Sequence, residues 1–115
     1  MSDNADCLFC RVVAGEIPAD VVRESGRTLA FRDLNPQAPT HVLVVPRGHH
    51  PDVAALASAD AAALAELVAT ARAVATDEGL ADYRLVFNTG PQAGQTVFHA
   101  HGHVLGGRDL GWPPG

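Results

Sequence analysis

The sequence predicts an α+β fold: an antiparallel five-stranded sheet with one long helix on a face and one short helix near the N-terminus. Three observations predict it. Short β-branched runs recur on both sides of a single long helical period. Turn signals separate the runs with neither repeat nor linker, so residues 1–115 read as one domain. The last run carries histidines at alternate positions, His99, His101 and His103, as expected of a strand with one face in use.

The elements follow in order. The apolar stretch from Leu8 to Ala14 fits one or two helical turns before the turn residues Gly15 and Pro18. Val21 to Arg23 and Thr28 to Arg32 read as strands joined at Ser25-Gly26, a hairpin signal. Asn35-Pro36 breaks the pattern and Pro39 keeps it broken. His41 to Val45, ending at Pro46, reads as a buried strand. Leu64, Leu67, Val68, Ala71, Val74 and Ala75 then keep helical spacing, with Ser58 as N-cap, Asp60 in the first turn and Gly79 just past the end. Asp77 and Glu78 stand at the negative end of that helix, which nothing in the sequence explains. Tyr83 to Asn88 and Val97 to Leu105 complete the sheet.

Composition excludes several function classes. The 115 residues suffice to bury a core, and 47% hydrophobic with 18% charged residues describes an ordinary soluble globular protein. A net charge of −5 disfavours nucleic acid as a partner but leaves room for a small nucleotide in a local pocket. Met1 to Asp6 lacks the basic and apolar regions of a leader, and no segment approaches a membrane span. The expectation is a cytoplasmic protein with no nucleic-acid or membrane partner.

On a strand, alternate histidines sit about 6.6 Å apart in succession. Three neighbouring imidazoles lose hydration and repel once protonated, so the run, flanked by Val97, Phe98, Val104 and Leu105, marks a site rather than a solvated edge. The loop Asn88 to Thr96 feeds it. Gly90 and Gly94 let backbone approach a ligand, and Gln95 and Thr96 add donors, which suits a phosphate cradle; a Gly-rich hairpin connection would look similar. Cys7 and Cys10 are the only cysteines. Their spacing fits a metal knuckle completed by histidines (His49 or His50, and His99), a redox pair or two plain thiols.

The string F-H-A-H-G-H-V-L, preceded by G-Q-T-V, resembles the signature of the histidine-triad superfamily. C-L-F-C with G-E-I-P and L-A-F-R-D-L-N-P-Q-A-P-T-H-V-L-V-V-P-R-G-H extend the likeness over nearly the whole chain. L-G-G-R-D-L-G-W-P-P-G is similar to the C-terminus of the Hint branch, without the Pro-Arg pair and longer tail of the dinucleoside-polyphosphate hydrolases. The resemblance implies the histidine-triad fold and hydrolysis of purine nucleoside phosphoramidates through a nucleotidyl-histidine. It implies His101 as nucleophile, His103 as donor to the phosphoryl oxygens or leaving group, and His41 as the fourth active-site histidine. By spacing alone His41 reads equally as a core histidine, and Asp33 as a turn residue.

Asn88, Gly94, Gln95, Thr96 and Val97 match the family's phosphate and leaving-group contacts. Leu8, Phe9, Phe31, Leu34 and Leu43 match its apolar purine clamp, and Asp33 its ribose-binding acid. His99 matches the first triad histidine, counted with the catalytic group; in zinc-containing relatives that position joins Cys7, Cys10 and His49 in a closed structural zinc site, leaving the chemistry metal-free. Arg32 stands near the ribose where relatives often carry histidine. Ala100 and Gly102 replace larger side chains, predicting an underpacked back face. The resemblance further implies a homodimer in which Trp112 reaches the partner's site, although a tail folded on its own subunit fits as well. Rival readings remain: a dinucleoside polyphosphate hydrolase or nucleotidyl transferase of the same superfamily, a catalytic three-histidine zinc hydrolase, and a non-enzymatic nucleotide-binding scaffold.

Overall fold

The computed structural model describes residues 6–115. Helix α1 (Leu8–Val13) leads into strands β1 (Val21–Glu24), β2 (Thr28–Arg32) and β3 (Thr40–Pro46). Helices α2 (Val53–Ala59) and α3 (Ala61–Asp77), then strands β4 (Arg84–Val86) and β5 (Gly102–Gly106), complete the order. The five strands form one antiparallel sheet in the order β1-β2-β3-β5-β4. The fold class read from the sequence is the one observed.

Alternation along β2 and β3 divides the core into two layers. Ala30, Val42 and Val44, with Val104 of β5, pack against Leu56 of α2 and Leu67, Ala71 and Val74 of α3. Leu29, Phe31, Leu43 and Val45 face the other way, onto Phe9 and Val12 of α1. Leu56 and Leu67 are fully buried, and burial of each contributes about 1.5–3 kcal/mol. The functional face is therefore the one covered only by the short α1.

Four expectations are corrected. The long helix does not start at Ser58: that residue lies inside α2, and Asp60 separates the two helices, its carboxylate accepting the Ala63 N–H at 3.1 Å. Two aspartates cap two helices in turn, since Asp52 accepts from Ala55 at 2.8 Å. The buried stripe of α3 is also rotated, with Ala63 and Thr70 inside and Val68 exposed. The last strand is shorter than Val97 to Leu105, because its ladder begins only at Gly102, and β4 covers 84–86 within Tyr83 to Asn88. The back face is not underpacked. A Cβ on Gly102 would stand 2.7 Å from the Phe87 ring and 2.9 Å from Leu85, which fill the space. Ala100 is buried in the helix-side core.

The acids at the end of α3 also find their reason. Asp77 accepts from Arg23 at 2.7 Å, and Glu78 forms a fork with Arg32 at 2.9 Å for both bonds. Each ties the helix to a neighbouring strand, and the bidentate pair offsets the unfavourable dipole.

Candidate active site and metal centre

His99 and His101 precede the ladder of β5, yet the period of two survives. The Ala100 N–H donates to the His50 carbonyl at 2.7 Å and its methyl enters the helix-side core, so both flanking histidines turn toward α1. His101 Nδ1 donates to the His99 carbonyl at 2.7 Å. That bond puts the proton on Nδ1 and leaves the Nε2 lone pair free. Phe9 packs edge-on against the ring, centroids 5.0 Å apart at 90°. Burial pushes the His101 pKa below its ordinary value, only partly opposed by the His99 carbonyl and Asp33, so the ring is neutral near pH 7.

A second imidazole chain runs beside it. The Gln37 N–H donates to His41 Nδ1 at 3.0 Å, so His41 carries its proton on Nε2. That proton points to His103 Nδ1 at 2.9 Å, and His103 in turn holds its own proton on Nε2. Asp33 Oδ2 stands 3.4 Å from His41 Nε2, while Oδ1 accepts the Asn35 N–H at 2.8 Å. Burial, then His101 and His41, push the His103 pKa down to about 4. Burial also lowers that of His41, against the pull of Asp33. His41 is thus a buried histidine, as one reading of its spacing expected, and it also bonds His103.

Asp33, His101 and His103 border a cavity of about 290 Å³, which His41 does not line and meets only through its bond to His103. Leu8, Phe9, Phe31, Leu43 and Val97 form apolar walls, as expected, and Asp33, Thr96, His101 and His103 supply the polar ones. Val12, Ile17, Pro18, Ala19 and Asp20 also line it, unpredicted. Their signal was available: Ile17 is an apolar residue inside a Gly-Glu-x-Pro turn, where such a side chain needs something to cover.

Other predicted contacts fall elsewhere. Leu34 only edges the cavity and is 99% exposed. Arg32 borders it, but its guanidinium is turned to the helix side by Glu78, away from the ribose position expected for it. Asn88, Gly94, Gln95 and Trp112 do not line the cavity. Asn88 lies beside Gly94, and Trp112 is 83% exposed. The Gln95 carboxamide is not a free donor, being bonded throughout to main chain.

His99 does not line the cavity either, so the catalytic role that the resemblance implied for it as first triad histidine gives way to another. It is fully buried, its Nε2 donating to the Pro46 carbonyl at 2.8 Å. The Nδ1 lone pair then meets Cys7 Sγ and Cys10 Sγ, both at 3.4 Å, and His49 Nδ1 at 3.3 Å. Cys10 Sγ and His49 Nδ1 are also 3.3 Å apart. A tetrahedron of Zn–S bonds near 2.3 Å and Zn–N bonds near 2.05 Å has edges of about 3.4–3.8 Å, so these atoms fit structural zinc. Burial and the adjacent Cys7 push the Cys10 thiol up to about 12, a penalty that a divalent cation between the sulfurs would reverse. All four positions are protein atoms, so the set is closed to substrate. His50 stands outside it. Asp33, His41 and His103 form the second convergent group among the described residues, and the imidazole hydrogen bond accounts for its closeness.

Known proteins share the fold that carries this arrangement. The HIT domain family matches residues 14–110. An uncharacterized HIT-like protein of Synechococcus elongatus is 49% identical over 97% of this chain and 99% of its own length. A 14 kDa zinc-binding protein of Zea mays is 45% identical over 98% of this chain and 91% of its own. The crystal structure of a HIT family hydrolase from Legionella pneumophila superposes with a TM-score of 0.91 at 48% identity, covering 96% of this chain and 100% of that one.

Proposed function

The chain belongs to the HIT family, and we propose that it is a hydrolase of the Hint branch, cleaving the P–N bond of purine nucleoside phosphoramidates by way of a nucleotidyl-His101. One observation supports this reading above the rest. The His101 ring is neutral, its Nδ1 proton is committed to the His99 carbonyl, and its free Nε2 belongs to the wall of the cavity. An imidazole so held is a nucleophile that needs no separate base. The aromatic and aliphatic walls suit a purine, and Asp33 accepts from ribose hydroxyls.

In the reaction, the Nε2 lone pair attacks the α-phosphorus as the P–N bond breaks, and its electron pair leaves with the amine nitrogen, which takes a proton from solvent. His103 Nε2–H donates to a phosphoryl oxygen, aligned through His41 by the Gln37 N–H. Water then attacks phosphorus, the pair returns to Nε2, a proton goes to solvent, and the nucleoside monophosphate departs. Cys7, Cys10, His49 and His99 would hold zinc, whose chemistry there is structural: a cross-link between α1 and the segment carrying His101. A three-histidine catalytic metal is disfavoured because His99 faces the cysteines. Trp112 lies off the cavity of its own chain, so a role at a site requires the homodimer; a solution mass of one 12.0 kDa chain would exclude it.

His101→Ala tests the reading. Turnover of an adenosine phosphoramidate should fall by about three orders of magnitude or more while AMP still binds. Turnover within tenfold of the unaltered protein overturns the nucleophile, and an unaltered protein that binds AMP without turning over the phosphoramidate would fit a scaffold.

A further inference from the structure

Gln95 touches no cavity wall itself, yet it is 3% exposed and its carboxamide is bonded entirely to main chain. Its Oε1 accepts the Gly90 N–H at 2.9 Å, and its Nε2 donates to the Pro51 carbonyl at 2.7 Å and the Val97 carbonyl at 3.2 Å. The loop it spans is otherwise exposed, with Gly90 and Gly94 at positive φ. The preceding carbonyl, that of His50, accepts the Ala100 N–H between His99 and His101. Two consecutive carbonyls, of residues 50 and 51, thus anchor the nucleophile's segment and the Thr96–Val97 wall of the cavity. Thr96 is exposed and does not fix that wall by its own packing.

We propose that Gln95 is a positioning residue, holding the Thr96–Val97 wall at a set distance from His101 by tying it to the Pro51 carbonyl. The inference rests on the reading of this cavity as a nucleoside monophosphate site. In that reading His101, as nucleophile, marks the phosphate end of the cavity, and Thr96 and Val97 line the same cavity. Loss of Gln95 should therefore act on the phosphate and leave the nucleoside alone. A side chain that only kept the protein folded would act on both.

Gln95→Met keeps the length and loses all three bonds. Calorimetry with AMP and with adenosine, and single-turnover release of amine from an adenosine phosphoramidate, read the effect. We expect AMP affinity and amine release each to fall at least tenfold, with adenosine affinity within twofold. An unchanged AMP-to-adenosine affinity ratio, whether both ligands hold or both weaken, overturns the proposal. Should the variant not fold, the carboxamide NH₂ resonances of Gln95 in the unaltered protein decide: they should shift with AMP and not with adenosine, and no shift with AMP overturns it. If the unaltered protein releases no amine yet the ratio still falls in the variant, the reaction is wrong and the role of Gln95 stands.

Discussion

Each histidine of the run answers to a different partner: His99 to two sulfurs, His101 to a carbonyl, His103 to another imidazole. Alternation foretold their common face, because period two needs only the backbone. The partners were less legible, since they come from residues 62 to 92 positions away or from main chain; spacing alone offered the cysteines to His99 as one choice among three. The same limit hid the fates of Arg32 and Gln95, whose polar groups looked free until Glu78 engaged the one and three backbone groups the other. At this scale the pH dependence follows. His103 is held neutral with a pKa of about 4, against 6.5 ordinarily. Above pH 6.5 neither folded nor unfolded chain protonates it; between 6.5 and about 4 only the unfolded chain does, so stability falls with pH across that window. At about 1.4 kcal/mol per pH unit the window from 6.5 to about 4 bounds the loss at ~3.5 kcal/mol, and solvent screening of the half-buried ring reduces it. Thermal melts from pH 7 to 4 should therefore fall less steeply for His103→Asn than for the unaltered protein, and parallel curves would remove His103 from the account.

Among the elements, those with long or strongly patterned runs were read from sequence and their ends were not. The sheet strands β2 and β3 were legible from β-branched runs closed by turn residues, within a residue of their bounds. The helix period was legible too, but a continuous alanine-rich composition concealed the break at Asp60, since helical propensity alone does not record where a cap interrupts it. The 97–101 segment failed as a strand because its one backbone-to-backbone bond, from Ala100, goes to the His50 loop instead of to β3, while the Val97 and His99 carbonyls accept from side chains. Capping gives the check. Asp60→Ala removes the bond to Ala63 and should cost about 1 kcal/mol in urea unfolding. Ser58→Ala, inside α2, should cost less than half of that; the reverse order would restore the N-cap read from sequence.

For the whole molecule, the division of labour between the two layers is the main result. Helices α2 and α3 cover one face of the sheet and supply most of the core, which frees the other face for α1, the cavity and the Cys/His cluster. The cluster and His101 adjoin through the single residue Ala100, so a metal held there would act on the cavity only by holding the fold. Chelation should lower the melting temperature by several degrees, the loss of a cross-link between α1 and the 99–101 segment. The chemistry itself should survive it below that temperature. The most direct test is to mix chelator-treated protein with an adenosine phosphoramidate, quench during turnover and locate adenylate by mass spectrometry of the peptides. The account predicts an adenylated residue 101; turnover that proceeds with no adduct there, or that needs zinc restored before any product forms, contradicts it.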